Sequence, residues 1–272
     1  MVVPYPRIPP DIVSFGPFTL RWYGLMYVIG YALGYRLASM RIARKLSPLT
    51  KSQLDTQLVF LILGMLIGAR TIYVLLYDLP ANTSHPLGAF EVWKGGLSFH
   101  GAILGMGSAI WIFSRRYAIP TLAVTDLVAL CGSPGLFFGR IGNFINAELY
   151  GRPTDVPWAM VFPTDRLRLP RHPSQLYEAL AQGVLLSLLL WWLDHRMRSR
   201  GVQRPGIATS GFLIGYAVVR FLLEFTREPD SQLGLVFGPF SMGQALSLIM
   251  FALGVVLLSI VLSRSRNRST TF

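Results

Sequence analysis

Seven stretches of this chain are each apolar over roughly the length that carries a helix once across a bilayer, near residues 18–38, 57–77, 97–113, 121–138, 175–193, 209–226 and 241–263. A helix needs about 20 residues to cross some 30 Å of hydrocarbon. The third and fourth stretches are short and carry His100 and Asp126, so a six-span reading stays open. Of the 272 residues 52% are hydrophobic, only 14% are charged, and mean hydropathy is +0.48. Soluble domains carry about a quarter charged residues. The expected fold is therefore all-α: a polytopic membrane helix bundle of about seven transmembrane helices. Residues 1–17 are proline-rich and show no basic start followed by an apolar core, so the first span is expected to direct its own insertion.

Basic residues orient the bundle. Arg41, Arg44, Lys45 and Lys51 follow the first span, Arg115 and Arg116 the third, Arg196, Arg198, Arg200 and Arg204 the fifth, and Arg264, Arg266 and Arg268 the last. With seven spans these segments share one side, which the positive-inside rule makes cytoplasmic. The N-terminus is then periplasmic and the C-terminus cytoplasmic. The second and sixth connections are poor in base, with Lys94 and Arg227. The net charge of +12 is read as topology plus attraction to anionic lipid, in preference to nucleic-acid binding.

One segment departs from this pattern. The connection from Arg140 to Arg171 should face outward, yet it holds Arg140, Arg152, Arg166, Arg168 and Arg171. An anionic ligand on the outer face would account for them. Placed by depth, Tyr23, His100, Arg140, His172, Glu178, Arg220 and Glu224 all fall near the external interface, which suggests one outward-facing site. The chain reads as a single integral membrane domain, residues 1–272, with 139–174 as an outward-facing functional loop region. Glycines four apart, at Gly30 and Gly34, Gly64 and Gly68, Gly101 and Gly105, Gly135 and Gly139, and Gly211 and Gly215, suit close helix packing and are mostly structural.

Tyr216, Arg220 and Glu224 are spaced i, i+4, i+8 and share a helix stripe, with Arg227 a turn further out. Glu224 either neutralises Arg220 or serves the site. The rigid donor fork of Arg220 matches a phosphate, and with Arg140 it could form a two-arginine clamp. Arg70 and Asp126 read as structural partners within the bundle. Cys131, the only cysteine, reads as a packing residue. With neither paired aspartates nor a histidine cluster, no metal and no cofactor are expected.

Six motifs together resemble the prolipoprotein diacylglyceryl transferase family. They are RWYGLMY from Arg21, GGLSFHGA from Gly95, GRIGNFINAELYGRPTD from Gly139, RHPSQLYE from Arg171, GYAVVRFLLEFTREPD from Gly215 and SMGQ from Ser241, in the family's order over nearly the whole chain. Ala102 stands where a second glycine is common, and the segment between Phe162 and Arg171 is compact.

The resemblance implies an enzyme of the bacterial cytoplasmic (inner) membrane. It would move a diacylglyceryl group from phosphatidylglycerol to the lipobox cysteine thiol of a preprolipoprotein, forming a thioether and releasing glycerol phosphate. Arg140 and Arg220 would stabilise charge developing on the phosphate oxygens. An unperturbed thiol has a pKa of about 8.5, so deprotonation needs help, and His100 is the base candidate. Asn143 and Glu148 could hydrogen-bond the glycerol hydroxyls or hold the loop that aims Arg140; Asn146 is left open. Gly142 and Gly151 would permit close backbone or lipid approach. Tyr23 could reach the head group or anchor the interface, and His172 could order the loop or touch the head group; His85 and His195 are read as solvated. A small anion or lipid transporter is the alternative, although it would favour internal repeats and mid-membrane charges.

Overall fold

The computed structural model describes residues 2–6, 8–16, 18–76, 78, 88, 90–91, 95–228, 235–237 and 240–266. His85, Lys94 and Arg268 lie outside these residues, as do the side chains of Arg264 and Arg266.

Each of the seven apolar stretches contains a helix. In chain order they are α1 (Trp22–Ala43), α2 (Lys51–Leu76), α3 (Phe99–Arg116), the pair α4 (Thr121–Gly132) and α5 (Gly135–Ile145), α6 (Ser174–Ser199), α7 (Ile207–Leu223) and α8 (Met242–Arg266). Four of them, α2, α6, α7 extended to Thr226, and α8 to Ser263, are long and apolar enough to cross a membrane; α4 with α5 makes a fifth if the bent pair counts as one span. The protein is thus a mostly helical chain with four to five candidate membrane spans.

Two boundaries differ from the sequence expectation for local reasons. Residues 18–21 are not helical: strand β2 (Phe18–Arg21) pairs antiparallel with β1 (Asp11–Phe15), and Arg21 meets Asp11 at 3.2 Å. The fourth stretch breaks at Ser133 and Pro134, where α4 and α5 meet at 45°. Proline has no N–H to continue the ladder, so the chain restarts as a new helix rather than running straight. As a result α5 runs to Ile145, and residues 139–145 of the expected loop region are still helical.

The chain packs as two compact units, Met1–Leu37 with Asp126–Phe272, and Ala38–Thr125. In the first, α7 lies along α8 and α5 packs on α6. Asp126 fastens the start of α7, accepting from the Gly206 and Thr209 amides at 2.7 Å each and from the Thr209 hydroxyl at 2.6 Å. Helix α6 widens to a π-helix over Ala179–Leu185, and a Cβ on Gly183 would fall 2.5 Å from Phe137 backbone atoms. Cys131 is buried. Outside the helices, strands β3 (Met160–Val161) and β4 (Pro170–Arg171) form a short ribbon. The ribbon sits on a small core of Phe144, Ala147 and Phe162, joined by Tyr5, Tyr150, Met160 and Leu176. A third ribbon, β5 (Leu235–Phe237) with β6 (Phe240–Ser241), leads into α8.

The second unit is dominated by α2 against α3. A Cβ on Gly68 would strike the Gly101 carbonyl and the Gly105 backbone, and one on Gly64 the Gly105 carbonyl and Ala109. The four-residue glycine spacing here does what it does in membrane helix pairs, letting backbones touch. Gly139 is the exception among the spaced glycines: a Cβ there meets nothing within 4 Å. Arg70 serves the connection that follows α2, donating to the carbonyls of Gly88, Gly95 and Gly96 at 2.5, 2.9 and 3.0 Å.

Candidate active site

The site is built first from the end of α5. Arg140 and Asn143 lie one turn apart on it, and the chain then doubles back through Ala147 and Leu149, both in the left-handed region at φ 54° and 58°. That reversal returns Glu148 to the helix it has just left. The Glu148 amide donates to the Asn143 carbonyl at 3.1 Å, and the Asn143 and Asn146 side-chain amides donate to Glu148 Oε1 at 2.8 and 3.3 Å. Arg140 Nη1 faces Asn143 Oδ1 at 3.5 Å. From α1, the Tyr23 ring lies over Gly142, where a Cβ would come within 2.9 Å of Cδ2, and its hydroxyl is 3.1 Å from that of Tyr27. Tyr23 is also within electrostatic reach of Glu148 and hydrogen-bonding reach of Asn143. Gln175 completes the set, donating to the Glu148 carbonyl at 2.6 Å.

A buried carboxylate holds two arginines beside this set. Glu178, on α6, is 1% exposed; its Oε2 lies 2.7 Å from Arg140 Nε and its Oε1 accepts from Arg227 Nη1 at 3.1 Å. The Arg140 contact is an ion pair whose angle is off the hydrogen-bond line. The Arg140 side chain is 21% exposed and therefore accessible. Glu178 takes Arg140 through Nε, and Glu148 reaches it only through Asn143, so donors of this guanidinium are left where an anion could bind.

Gly151 threads the gap between these elements. Its amide donates to the His172 carbonyl at 2.9 Å, the His172 amide donates to the Arg152 carbonyl at 3.1 Å, and Gly151 bridges Arg227 in antiparallel fashion. A Cβ on Gly151 would collide with Ser174 Oγ and the Thr226 carbonyl, so only glycine passes here. The His172 ring is 3.2 Å from the Tyr177 hydroxyl, and burial pushes its imidazole below the usual range. Below it, Arg171 is held by Asp165 at 2.6 Å and Glu228 at 2.9 Å and stacks over Tyr150. Arg171 holds the Asp165 carboxyl below the usual carboxylate range, mainly through their hydrogen bond.

Arg220 and Glu224 form a second cluster at the end of α7. They pair with each other, and Ser241 at the start of α8 donates to Glu224 Oε1 at 2.6 Å. Gly243 closes over them: a Cβ there would lie 2.7 Å from Glu224 Oε1 and 3.1 Å from Arg220 Nη2. The Arg227 amide donates to the Glu224 carbonyl at 3.2 Å, so one 3-10 turn, Glu224–Thr226, connects this cluster to the Glu178 pair.

Of the residues singled out from sequence, Tyr23, Arg140, Asn143 and Glu148 form one contact set. Gly151 and His172 adjoin Arg227, and Arg220 with Glu224 forms the neighbouring pair. Tyr216 stacks on Phe212 at 5.6 Å. His100 belongs to the other unit, exposed in the first turn of α3 and edge-on to Phe99. Three residues that sequence reasoning gave no role at the site take part in its framework, Gln175, Arg227 and Ser241, and Glu178, placed at the same level by depth, is the carboxylate that holds Arg140 and Arg227. The signal for Glu178 was present, since a carboxylate inside an apolar run demands a cationic partner.

A multi-pass helical membrane protein with arginines gathered beside buried carboxylates is the class this architecture defines. The family model for prolipoprotein diacylglyceryl transferase matches residues 10–260, and the chain belongs to that family. It is 50% identical over 256 residues to the phosphatidylglycerol–prolipoprotein diacylglyceryl transferase of Nitratidesulfovibrio vulgaris, covering 93% of this chain and 94% of the relative. Proteins of the same name from Pseudomonas fluorescens and Methylocella silvestris are 48% and 46% identical, over 94% and 97% of each chain.

Proposed function

We propose that this protein transfers the diacylglyceryl group of phosphatidylglycerol to the lipobox cysteine thiol of a preprolipoprotein. The thiolate sulfur bonds to the glyceryl carbon that carries the phosphate, the carbon–oxygen bond breaks, and glycerol phosphate leaves. The thiol proton passes to a base, for which His100 is proposed. Arg140 and Arg220 are proposed to bind the phosphate and stabilise the charge that grows on its oxygens, a contribution worth about 10²–10³ in rate for a single donor elsewhere. Tyr23, Asn143, Glu148, Gly151, Tyr216, Glu224 and His172 are proposed to shape the pocket for the head group. The site needs no nucleophile of its own, because the substrate brings the thiol.

The proposal includes seven crossings of the bacterial inner membrane, a periplasmic N-terminus and an active site toward the periplasm. The run of bases at residues 41–51, 115–116 and 196–204 supports that orientation.

The observation that carries the reading is the joining of Arg140, Asn143, Glu148 and Tyr23 in one contact set, in a chain half identical to a relative bearing the transferase name. The test is incubation of purified protein with phosphatidylglycerol vesicles and a lipobox peptide. A thioether-linked peptide with matching release of glycerol phosphate is expected. Folded protein that yields no thioether sinks the proposal, and lipid movement without it would favour a transporter.

A further inference from the structure

The turn between β3 and β4 is rigid at its base and apolar at its tip. Asp165, 3% exposed, accepts from the amides of Leu167 and Leu169 at 3.2 Å each and from Arg171 Nε and Nη2 at 2.6 and 3.1 Å. The Arg168 amide donates to the Asp165 carbonyl at 3.2 Å, and Arg168 sits at φ 52°, a left-handed conformation that L-residues other than glycine adopt at a cost. Beneath the turn Phe162 is fully buried. The backbone of 165–169 is thus fixed without any partner.

What it presents is Arg166, Leu167, Arg168 and Leu169, all exposed, with Leu167 at 68%. Neither arginine side chain has a partner among the described residues. A rigid turn that holds leucines in water while alternating them with arginines suits an interface that is apolar beneath and anionic at its surface. The level of that interface has its own marker. Trp158, two residues before β3 and 52% exposed, donates from its indole to the Tyr177 hydroxyl at 2.6 Å, and Tyr177 lies in the first turn of the candidate span α6. Tryptophan and tyrosine at a span end mark the head-group region.

We propose that the 166–169 tip is a membrane-surface anchor: Leu167 and Leu169 enter the outer leaflet's interface, and Arg166 and Arg168 bind the phosphates of anionic lipid. The proposal rests on the periplasmic placement of this loop given above. The anchor is tied to the site, since Arg171 also donates to the Gly151 carbonyl at 3.4 Å. It would hold anionic lipid, the substrate class, beside the arginines that use it.

The sequence has one cysteine and it is buried, so Leu167→Cys supplies a single reactive thiol for a polarity-sensitive dye. The labelled protein is placed in nanodiscs of phosphatidylcholine alone or mixed with phosphatidylglycerol. The expected result is a blue-shifted emission, quenched by interfacial nitroxide lipid, that requires phosphatidylglycerol, weakens at high salt and is lost in Arg166→Gln/Arg168→Gln. Water-like emission in both discs overturns the anchor. Equal shielding without anionic lipid overturns it too, as does shielding that appears only on adding a lipobox peptide. As a second measurement, the double variant should raise the KM for phosphatidylglycerol several-fold with kcat kept; an unchanged KM counts against it. Failure of thioether formation in the unlabelled wild type would strike the transferase reading alone, because the dye reads lipid contact without turnover.

Discussion

The Arg140 guanidinium lies 2.7 Å from the carboxylate of Glu178, a side chain that is almost wholly buried and that Arg227 engages from its other oxygen. The phosphate-binding candidate is thus held in place by a residue of a different helix. Breaking a buried pair by removing one partner typically costs about 3–5 kcal/mol, because the other charge is stranded. Glu178→Gln is therefore expected to lower the melting temperature of the detergent-solubilised protein and to reduce thioether formation. A variant with wild-type stability and rate would show that the pair positions nothing.

Arg220 offers the sharper test of phosphate chemistry. Arg220→Ala should cut turnover by at least ~100-fold, as for a lost charge-stabilising donor, and Arg220→Lys should restore little, since a point charge lacks the fork. Arg220→Ala leaves the buried Glu224 with its bond from Ser241 but no cation, so some stability should be lost as well, and the rate is read on protein that circular dichroism shows to be folded. Full activity in Arg220→Ala removes this residue from the reaction.

At Gly151 the prediction is steric. A methyl group there meets Ser174 Oγ, the Thr226 carbonyl and His172 Cβ, the last at 2.8 Å. Overpacking of this kind costs about 1–3 kcal/mol. Gly151→Ala should shift the loop that carries His172 and depress activity, whereas Gly139→Ala, which faces open space, should be tolerated structurally. Equal thermal stability of the two variants would contradict this.

His100 is tested by the shape of a pH profile. A histidine base imposes an acid limb on the rate, and its loss typically costs ~10²–10⁴-fold. His100→Gln should lose both the rate and the limb. If the acid limb persists in the variant, another group takes the proton.

The Asp165–Arg171 clasp should answer to acid. The folded-state pKa of Asp165 is lowered from an unfolded value of about 3.9. Such a group contributes its full stability above the unfolded value and loses it as pH falls through the folded value. Protection of the Leu167 and Leu169 amides against hydrogen exchange, taken relative to the intrinsic rate at each pH, should hold at about pH 5 and be lost only well below about pH 4. Asp165→Asn should exchange fast throughout; protection that persists in it would show that the carboxylate does not hold the turn.

Much of this molecule is written in local composition. Each of the seven apolar runs contains helix, because a chain in hydrocarbon has to satisfy its own backbone, although only four to five of the resulting helices are long and apolar enough to count as candidate spans. The arginines and asparagines after Gly139 mark a site because polar groups are costly in such a setting. Glycine spacing marked helices that could pack closely, though not that α2 and α3 would pack on each other. Other features depend on contacts between residues far apart in sequence. The strand at residues 18–21 exists because Asp11–Phe15 folds back on it, and no helical period in the apolar run reveals that.

The sequence determined that Arg140 and Arg220 would need anionic partners, since a guanidinium cannot shed its charge. Which partners they take was decided by tertiary structure. Glu224 is one helical turn from Arg220 and could be foreseen; Glu178 reaches Arg140 only because α6 packs against α5, and Arg227 joins them only because the turn after α7 comes to the same place. Ion pairing falls off within a few ångströms, so it follows neighbours in space, and those are set by how the helices pack.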